Sequence, residues 1–177
     1  MRRPKETSRW KRSMVPGTFL LSICIAIPPL MFGVDAAAAG QACAPTPADM
    51  EGPFYRPGAP ERTSTGEGLA VSGRLSGAPD CRPLSAGRIE WWHANAAGDY
   101  DDVHRGSMKV DPDGGYRYTT DFPGKYPGRP LHIHVKAFAP GYSPLTTQFY
   151  LRGGEKKVVF DIVLVPLKRR PDPGLSP

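Results

Sequence analysis

Beyond residue 40, no stretch of the chain repeats its apolar residues at helical spacing for three turns, and Gly or Pro interrupts it about every ten residues. Twenty glycines and 21 prolines among 177 residues leave room for short strands and little else. Strands are predicted at 69–75, 88–94, 115–120, 131–139, 147–151 and 156–165. Reversal-prone sequences separate them: Asp111-Pro112-Asp113-Gly114-Gly115, Pro140-Gly141 and Gly153-Gly154. Short strands punctuated this way imply an all-β chain, a single-domain β-sandwich of mainly antiparallel strands with long loops and little helix. The sandwich is expected over residues 67–167. An N-terminal arm, 40–66, precedes it, and a solvated, flexible tail, 168–177, follows. The arm carries Glu51-Gly52-Pro53-Phe54-Tyr55, whose aromatics are expected to lie against the sheet. Whether it only packs there or also lines a pocket stays open.

Residues 1–39 read as a secretory signal peptide rather than as fold. Arg2, Arg3, Lys5, Arg9, Lys11 and Arg12 form a basic leader, residues 19–27 a short apolar centre, and Ala36 to Ala39 a run of small residues for cleavage. The rival is an uncleaved anchor, but a spanning helix wants ~20 apolar residues, and Pro16 and Pro28-Pro29 bracket a shorter stretch. The chain is therefore expected to be exported, periplasmic or secreted, with no stable membrane span after cleavage. Six of its 23 basic and two of its 17 acidic residues lie in residues 1–40, so the remainder carries 17 against 15, a net +2. That balance gives no support to a nucleic-acid partner, which would need a clustered basic face.

About 137 residues then remain, enough for one domain that buries roughly 68% of the surface its unfolded chain would expose. Cys24 leaves with the leader, and Cys43 and Cys81 form an even pair in an oxidising compartment. A disulfide is the natural reading, two buried thiols the alternative.

In Leu131-His132-Ile133-His134-Val135-Lys136-Ala137, alternation puts Leu131, Ile133, Val135 and Ala137 on one face of a strand and His132 and His134 on the other. Two residues apart at a rise of ~3.4 Å each, the histidine Cα atoms lie ~6.8 Å apart, close enough for both imidazoles to reach one ion. The pattern also fits two ordinary surface histidines. A cupin-type site would need a third histidine downstream, and no histidine follows His134. A zinc hydrolase would add a carboxylate or cysteine ligand, and the cysteines are distant in sequence. Immediately upstream stands Tyr126, in Gly124-Lys125-Tyr126-Pro127-Gly128-Arg129-Pro130. A phenol ionises near pH ~10 when free, and a nearby metal charge can bring that to neutral pH. Phenolate suits a hard trivalent ion.

The run from Lys125 to His134 closely resembles the Tyr-Pro…Arg-Pro-x-His-x-His segment of the intradiol ring-cleavage dioxygenases, the protocatechuate 3,4-dioxygenase and catechol 1,2-dioxygenase family. Glu51-Gly52-Pro53-Phe54-Tyr55, the stretch from Ile89 to Tyr100, and Thr146-Thr147-Gln148-Phe149-Tyr150 resemble three further motifs of that family, in the same order. The chain looks like one of its compact, exported forms. The resemblance implies Fe(III) held by Tyr100, Tyr126, His132 and His134, with water or hydroxide in the fifth position. It implies that Tyr126 is released when a catechol-type diol binds, and that O₂ is inserted to give a cis,cis-muconate type diacid. Arg129 matches an arginine that supports charge developing on the ring, and Gln148 a polar residue beside it. His93 is read as structural or as lying behind the ligands, and His104 as a solvent-facing loop residue. The stretch from Tyr100 to Tyr126 is shorter than in the protocatechuate and catechol enzymes, which leaves the diol open. The rival readings are a non-catalytic secreted β-sandwich binding module and another mononuclear metalloenzyme in which His93 or His104 replaces a tyrosine.

Overall fold

The computed structural model describes residues 43–168. The expected leader, 1–39, and all but the first residue of the expected tail, 168–177, lie outside the described residues. The described residues form ten strands: β1 (Ser64–Thr65), β2 (Leu69–Gly77), β3 (Arg82–Pro83), β4 (Arg88–Ala94), β5 (Tyr100–Lys109), β6 (Gly115–Thr120), β7 (His132–Phe138), β8 (Leu145–Tyr150), β9 (Lys157–Val159) and β10 (Ile162–Leu164). They make two sheets. One is a four-stranded antiparallel sheet in the order β5-β4-β7-β8, and the other runs β1-β6-β2-β10, with β3 and β9 also paired to β2. No helix occurs among the described residues, and the expected β-sandwich is what forms.

Alternation decides which sides meet. Leu69, Val71 and Leu75 of β2 face Ile89 and Trp91 of β4 and Ile133, Val135 and Ala137 of β7 in one shared core. Trp91 stacks on Tyr118 of β6 with ring centroids 4.0 Å apart, tying the two sheets together. The predicted strand 156–165 forms as β9 and β10, which follow β2 in one parallel register and are interrupted at Phe160 and Asp161. There the Phe160 N–H turns to the Ser72 carbonyl, and an Asp161 carboxylate oxygen accepts the Arg74 N–H.

Strands β1, β3 and β5 were not predicted. The first and second are two residues each and carry no periodicity. Strand β5 is an edge strand whose sequence, Tyr-Asp-Asp-Val-His-Arg-Gly-Ser-Met-Lys, has no apolar alternation, because its inward positions hold His104, Gly106 and Met108. His104 is consequently a strand residue, 9% exposed, and not the solvent-facing loop residue expected.

The arm crosses the outer face of the four-stranded sheet. Its Asp49 N–H bonds the Thr146 carbonyl, Glu51 pairs with Lys136, and the Tyr55 hydroxyl donates to buried Glu90 at 3.0 Å. Cys43 and Cys81 form a disulfide, with Cα atoms 5.2 Å apart, that anchors the start of the described arm.

Candidate metal centre

Strand β7 turns Ile133, Val135 and Ala137 into the core and His132 and His134 outward, beneath the arm. Cross-strand register surrounds the pair: His134 lies between Trp92 and Gln148, and His132 opposite Tyr150. The Trp92 indole stacks on the His134 ring at 4.8 Å and 7°, fixing its plane. His132 Nδ1 donates to the Pro130 carbonyl at 2.6 Å, which leaves Nε2 as a lone pair pointing at the site. His134 Nδ1 is buried with no partner at hydrogen-bonding geometry, although the Met50 carbonyl is close enough to favour its protonated form.

Tyr100 arrives from the start of β5. Its ring stacks on Phe54 of the arm at 4.2 Å and 9°. Its hydroxyl stands 3.1 Å from His132 Nε2 and 3.2 Å from His134 Nε2, and the two nitrogens are themselves 3.2 Å apart. The arm meets this triangle at Gly52, whose φ of +72° favours glycine and where an added Cβ would already touch His134 Cε1 at 3.4 Å.

The triangle fits a metal ion. A point equidistant from the three atoms lies about 1.8 Å from each in their plane, so a small displacement reaches the ~2.0–2.1 Å of a metal–imidazole bond. With the His132 proton on Nδ1, the neutral triad holds at most two protons for its three edges. At least one edge then carries no hydrogen bond, whereas a cation at the centre would engage all three atoms at once. Burial pushes the Tyr100 phenol up to about 12, with Arg129 opposing. Burial, then the charge of His132, push His134 down to about 4. Phenolate and neutral imidazole are the forms a bound metal ion would select. Among the described residues no group of three or more His, Cys, Asp or Glu could hold a metal, so a carboxylate- or thiolate-rich centre has no candidate there.

Beside the triangle opens a cleft of about 160 Å³, lined also by Met50, Pro53, Phe54, Tyr126, Arg129 and Gln148. The Tyr126 ring stands edge-on to Tyr100 at 5.8 Å and to Phe54 at 5.5 Å. Tyr126 thus lines the cleft, and among the described residues no hydrogen bond joins its hydroxyl to the triangle. Arg129 donates to Gln148 Oε1 at 2.9 Å and to the Tyr150 hydroxyl at 3.4 Å. Gln148 Nε2 donates to the Met50 carbonyl at 2.6 Å. Arg129 lines the cleft and is in no ion pair among the described residues; the Asp49 carboxylate reaches it only through the Tyr150 hydroxyl. A larger depression, about 630 Å³, lies over β2 and β6 and contains no histidine.

The other two histidines stand elsewhere. His93 faces the core side of β4, bonded to the Ala94 carbonyl and to Thr120 Oγ1 at 2.6 Å, and burial lowers it to about 4. His104 bonds Asp101 and Asp121. Sequence reasoning gave Trp92 no part in the site and left the arm's role open. Strand pairing would have revealed Trp92, which shares a sheet face with His134, and the arm both packs on the sheet and walls the cleft.

No protein-family model matches the chain. Among curated proteins it is similar to a chlorocatechol 1,2-dioxygenase of Cupriavidus pinatubonensis, 33% identical over 144 residues that cover 62% of this chain and 56% of that protein. It is also similar to catechol 1,2-dioxygenase 2 of Acinetobacter lwoffii, 32% identical over 143 residues, 61% of this chain and 52% of that protein. The chain spans about half the length of the curated relatives it matches. Among solved structures, catechol 1,2-dioxygenase of Acinetobacter sp. ADP1 superposes with TM-score 0.62 at 26% identity, over 69% of this chain and 63% of that one. The dioxygenase domain of a dioxygenase carbohydrate-binding protein fusion from Streptomyces sp. SirexAA-E superposes with TM-score 0.64 at 36% identity, over 70% of this chain and 100% of that one. Identity of that degree over the whole of a solved dioxygenase domain, joined to a paired-histidine and tyrosine triangle on the same sandwich, means that the chain belongs to the intradiol ring-cleavage dioxygenase family.

Proposed function

We propose that the chain is a non-haem Fe(III) intradiol dioxygenase that inserts both atoms of O₂ into a catechol-type diol, giving a cis,cis-muconate type diacid. The observation that carries this reading is the triangle of Tyr100 Oη, His132 Nε2 and His134 Nε2. When bound, ferric iron would supply a Lewis acid that holds both diol oxygens and draws electron density from the ring, opening it to O₂.

The residues divide the remaining work. Tyr100, His132 and His134 hold the ion, with Trp92 and the Pro130 carbonyl fixing the two imidazole planes. Tyr126 is the fourth ligand. From the cleft wall its phenolate oxygen would take one proton of an entering diol, the other going to solvent. Arg129 turns an unpaired guanidinium toward the ring and stabilises negative charge as it develops there. Gln148 holds that guanidinium in place, since its carbonyl oxygen accepts from Arg129 while its amide is tied to Met50. Phe54 covers Tyr100 and keeps water from that side. Export is part of the proposal, supported by the Cys43–Cys81 bridge, a bond that persists in oxidising compartments.

The test is O₂ uptake by iron-loaded protein on a panel of catechols, with products identified. One O₂ consumed per diol and a ring-opened diacid are expected. Bound ferric iron with no uptake on any diol would favour the binding module instead.

A further inference from the structure

Tyr100 opens β5, yet regular alternation along β5 would send its ring into the core. Arg105 and Ser107 pair with Trp92 and Glu90 and share their outer face, whereas Gly106 and Met108 pair with Trp91 and Ile89 and point inward. Counting back from Met108 in steps of two places Gly106, His104, Asp102 and Tyr100 inward. The ladder breaks that count. Trp92 pairs with Arg105 and Ala94 with Tyr100, so the single residue His93 stands opposite Asp101, Asp102, Val103 and His104. An odd excess of residues moves everything beyond it to the other face of the sheet. Tyr100 thereby shares the face of Ala94 and Trp92, which is the face of His132 and His134.

Side chains lock this bulge from both sides. Asp101 Oδ1 accepts from the N–H groups of Val103 and His104, each at 2.9 Å, and contacts His104 Nδ1 at 2.8 Å. Asp101 Oδ2 accepts from Asn95 Nδ2 at 3.0 Å, across the turn that leads into Tyr100. His104 Nε2 reaches Asp121 Oδ2 at 3.2 Å, just after β6, where the chain starts toward Tyr126. On the outside Asp102 is held by Arg56 at 2.8 Å and Arg105 at 3.0 Å. We propose that Asp101 and His104 are positioning residues of the metal centre: they hold the bulge that turns the Tyr100 hydroxyl onto the histidine pair. The inference rests on Tyr100 being a metal ligand, as proposed above.

The experiment compares His104→Ala, Asp101→Ala and Asp101→Asn with Thr65→Val as control. Thr65 bonds Thr120 and Trp91 in the core and has no bond to the bulge, so its loss destabilises without touching Tyr100. Removing groups that orient metal ligands typically weakens metal binding about 10–100-fold. His104→Ala and Asp101→Ala are expected to lose iron to a competing chelator at roughly 10-fold or more lower chelator concentration and to shift or weaken the visible ferric-tyrosinate band. Asp101→Asn keeps the Oδ1 acceptor for the two N–H groups but sets an amide NH2 against Asn95 Nδ2, and is expected to recover part of both. Thr65→Val should lower the melting temperature while leaving band and affinity as they are. Crystal structures of the metal-free proteins decide the matter even if no iron binds. Tyr100 Oη out of hydrogen-bond range of both imidazoles in His104→Ala supports the inference, and Tyr100 unmoved in both alanine variants overturns it. A wild-type protein that takes up no iron would instead count against the proposed function.

Discussion

His93 offers a quantitative test of how this sandwich excludes charge. Its ring is 0% exposed, and the hydrogen bonds around it run in one direction. Trp91 Nε1–H donates to Thr65 Oγ1 at 3.0 Å, Thr65 donates to Thr120 Oγ1 at 2.8 Å, and Thr120 is left to donate to His93 Nε2 at 2.6 Å. Nδ1–H then donates to the Ala94 carbonyl at 2.9 Å. A second proton on Nε2 would confront the Thr120 hydroxyl proton, and the chain cannot reverse to relieve this because the Trp91 indole only donates. Burial is the main cause that lowers His93 to about 4, with the Ala94 carbonyl opposing and the charge of His104 assisting. Against ~6.5 in an unfolded chain, the unfolded state binds a proton between those two values and the folded state does not. Stability is therefore full above pH ~6.5, falls as pH drops, and levels off below the folded value, a loss of about 3 kcal/mol in all. The assay is urea unfolding of chelator-treated protein at pH 7.5 and 4.5. His134 shifts in the same direction, so the informative quantity is the difference from His93→Gln, which should lose about 2–3 kcal/mol less than wild type over that span. Parallel losses in the two proteins would refute the buried, neutral His93. The same variant should keep its iron and its colour, since His93 faces the core and not the triangle; a colourless but folded His93→Gln would place it among the ligands after all.

Tyr126→Phe should keep iron through the remaining three ligands but shift or weaken the visible band, whereas Tyr100→Phe should lose most of the bound metal, read by iron content after desalting. Arg129→Ala removes a guanidinium that lines the cleft and should lower kcat on the order of 10²-fold with a smaller change in KM, read by initial O₂ uptake rates. Replacing Cys43 and Cys81 by Ser frees a loop with a sequence separation of 38 and should cost about 4 kcal/mol of unfolding free energy in the chain-entropy model. An unchanged urea midpoint would show that the arm's hydrogen bonds to β8 hold it unaided.

How far the site could be read from the sequence follows from where each residue's direction is decided. Within β7 the strand itself decides it: apolar residues at 133, 135 and 137 force His132 and His134 to the opposite face. That inference needed no partner strand. The turn after β5 was equally local, since Asp111 caps it by accepting the N–H groups of Asp113 and Gly115. Tyr100 is different. Nothing local marks 100–109 as a strand, because an edge strand with His104, Gly106 and Met108 inward has no alternation to detect. Its direction depends on an odd-length bulge that exists only once β5 has paired with β4. The same bulge explains the misreading of His104: Asp-Asp-Val-His looks like a polar loop, yet two carboxylates draw the imidazole into the gap beside His93. Resemblance could supply Tyr100 as a ligand, but only the ladder explains why a tyrosine at that position can reach the histidines. The chemistry of this centre is thus written in one strand and its geometry in the register between two, so a substitution in 101–104 that leaves every ligand intact should still be able to disable it.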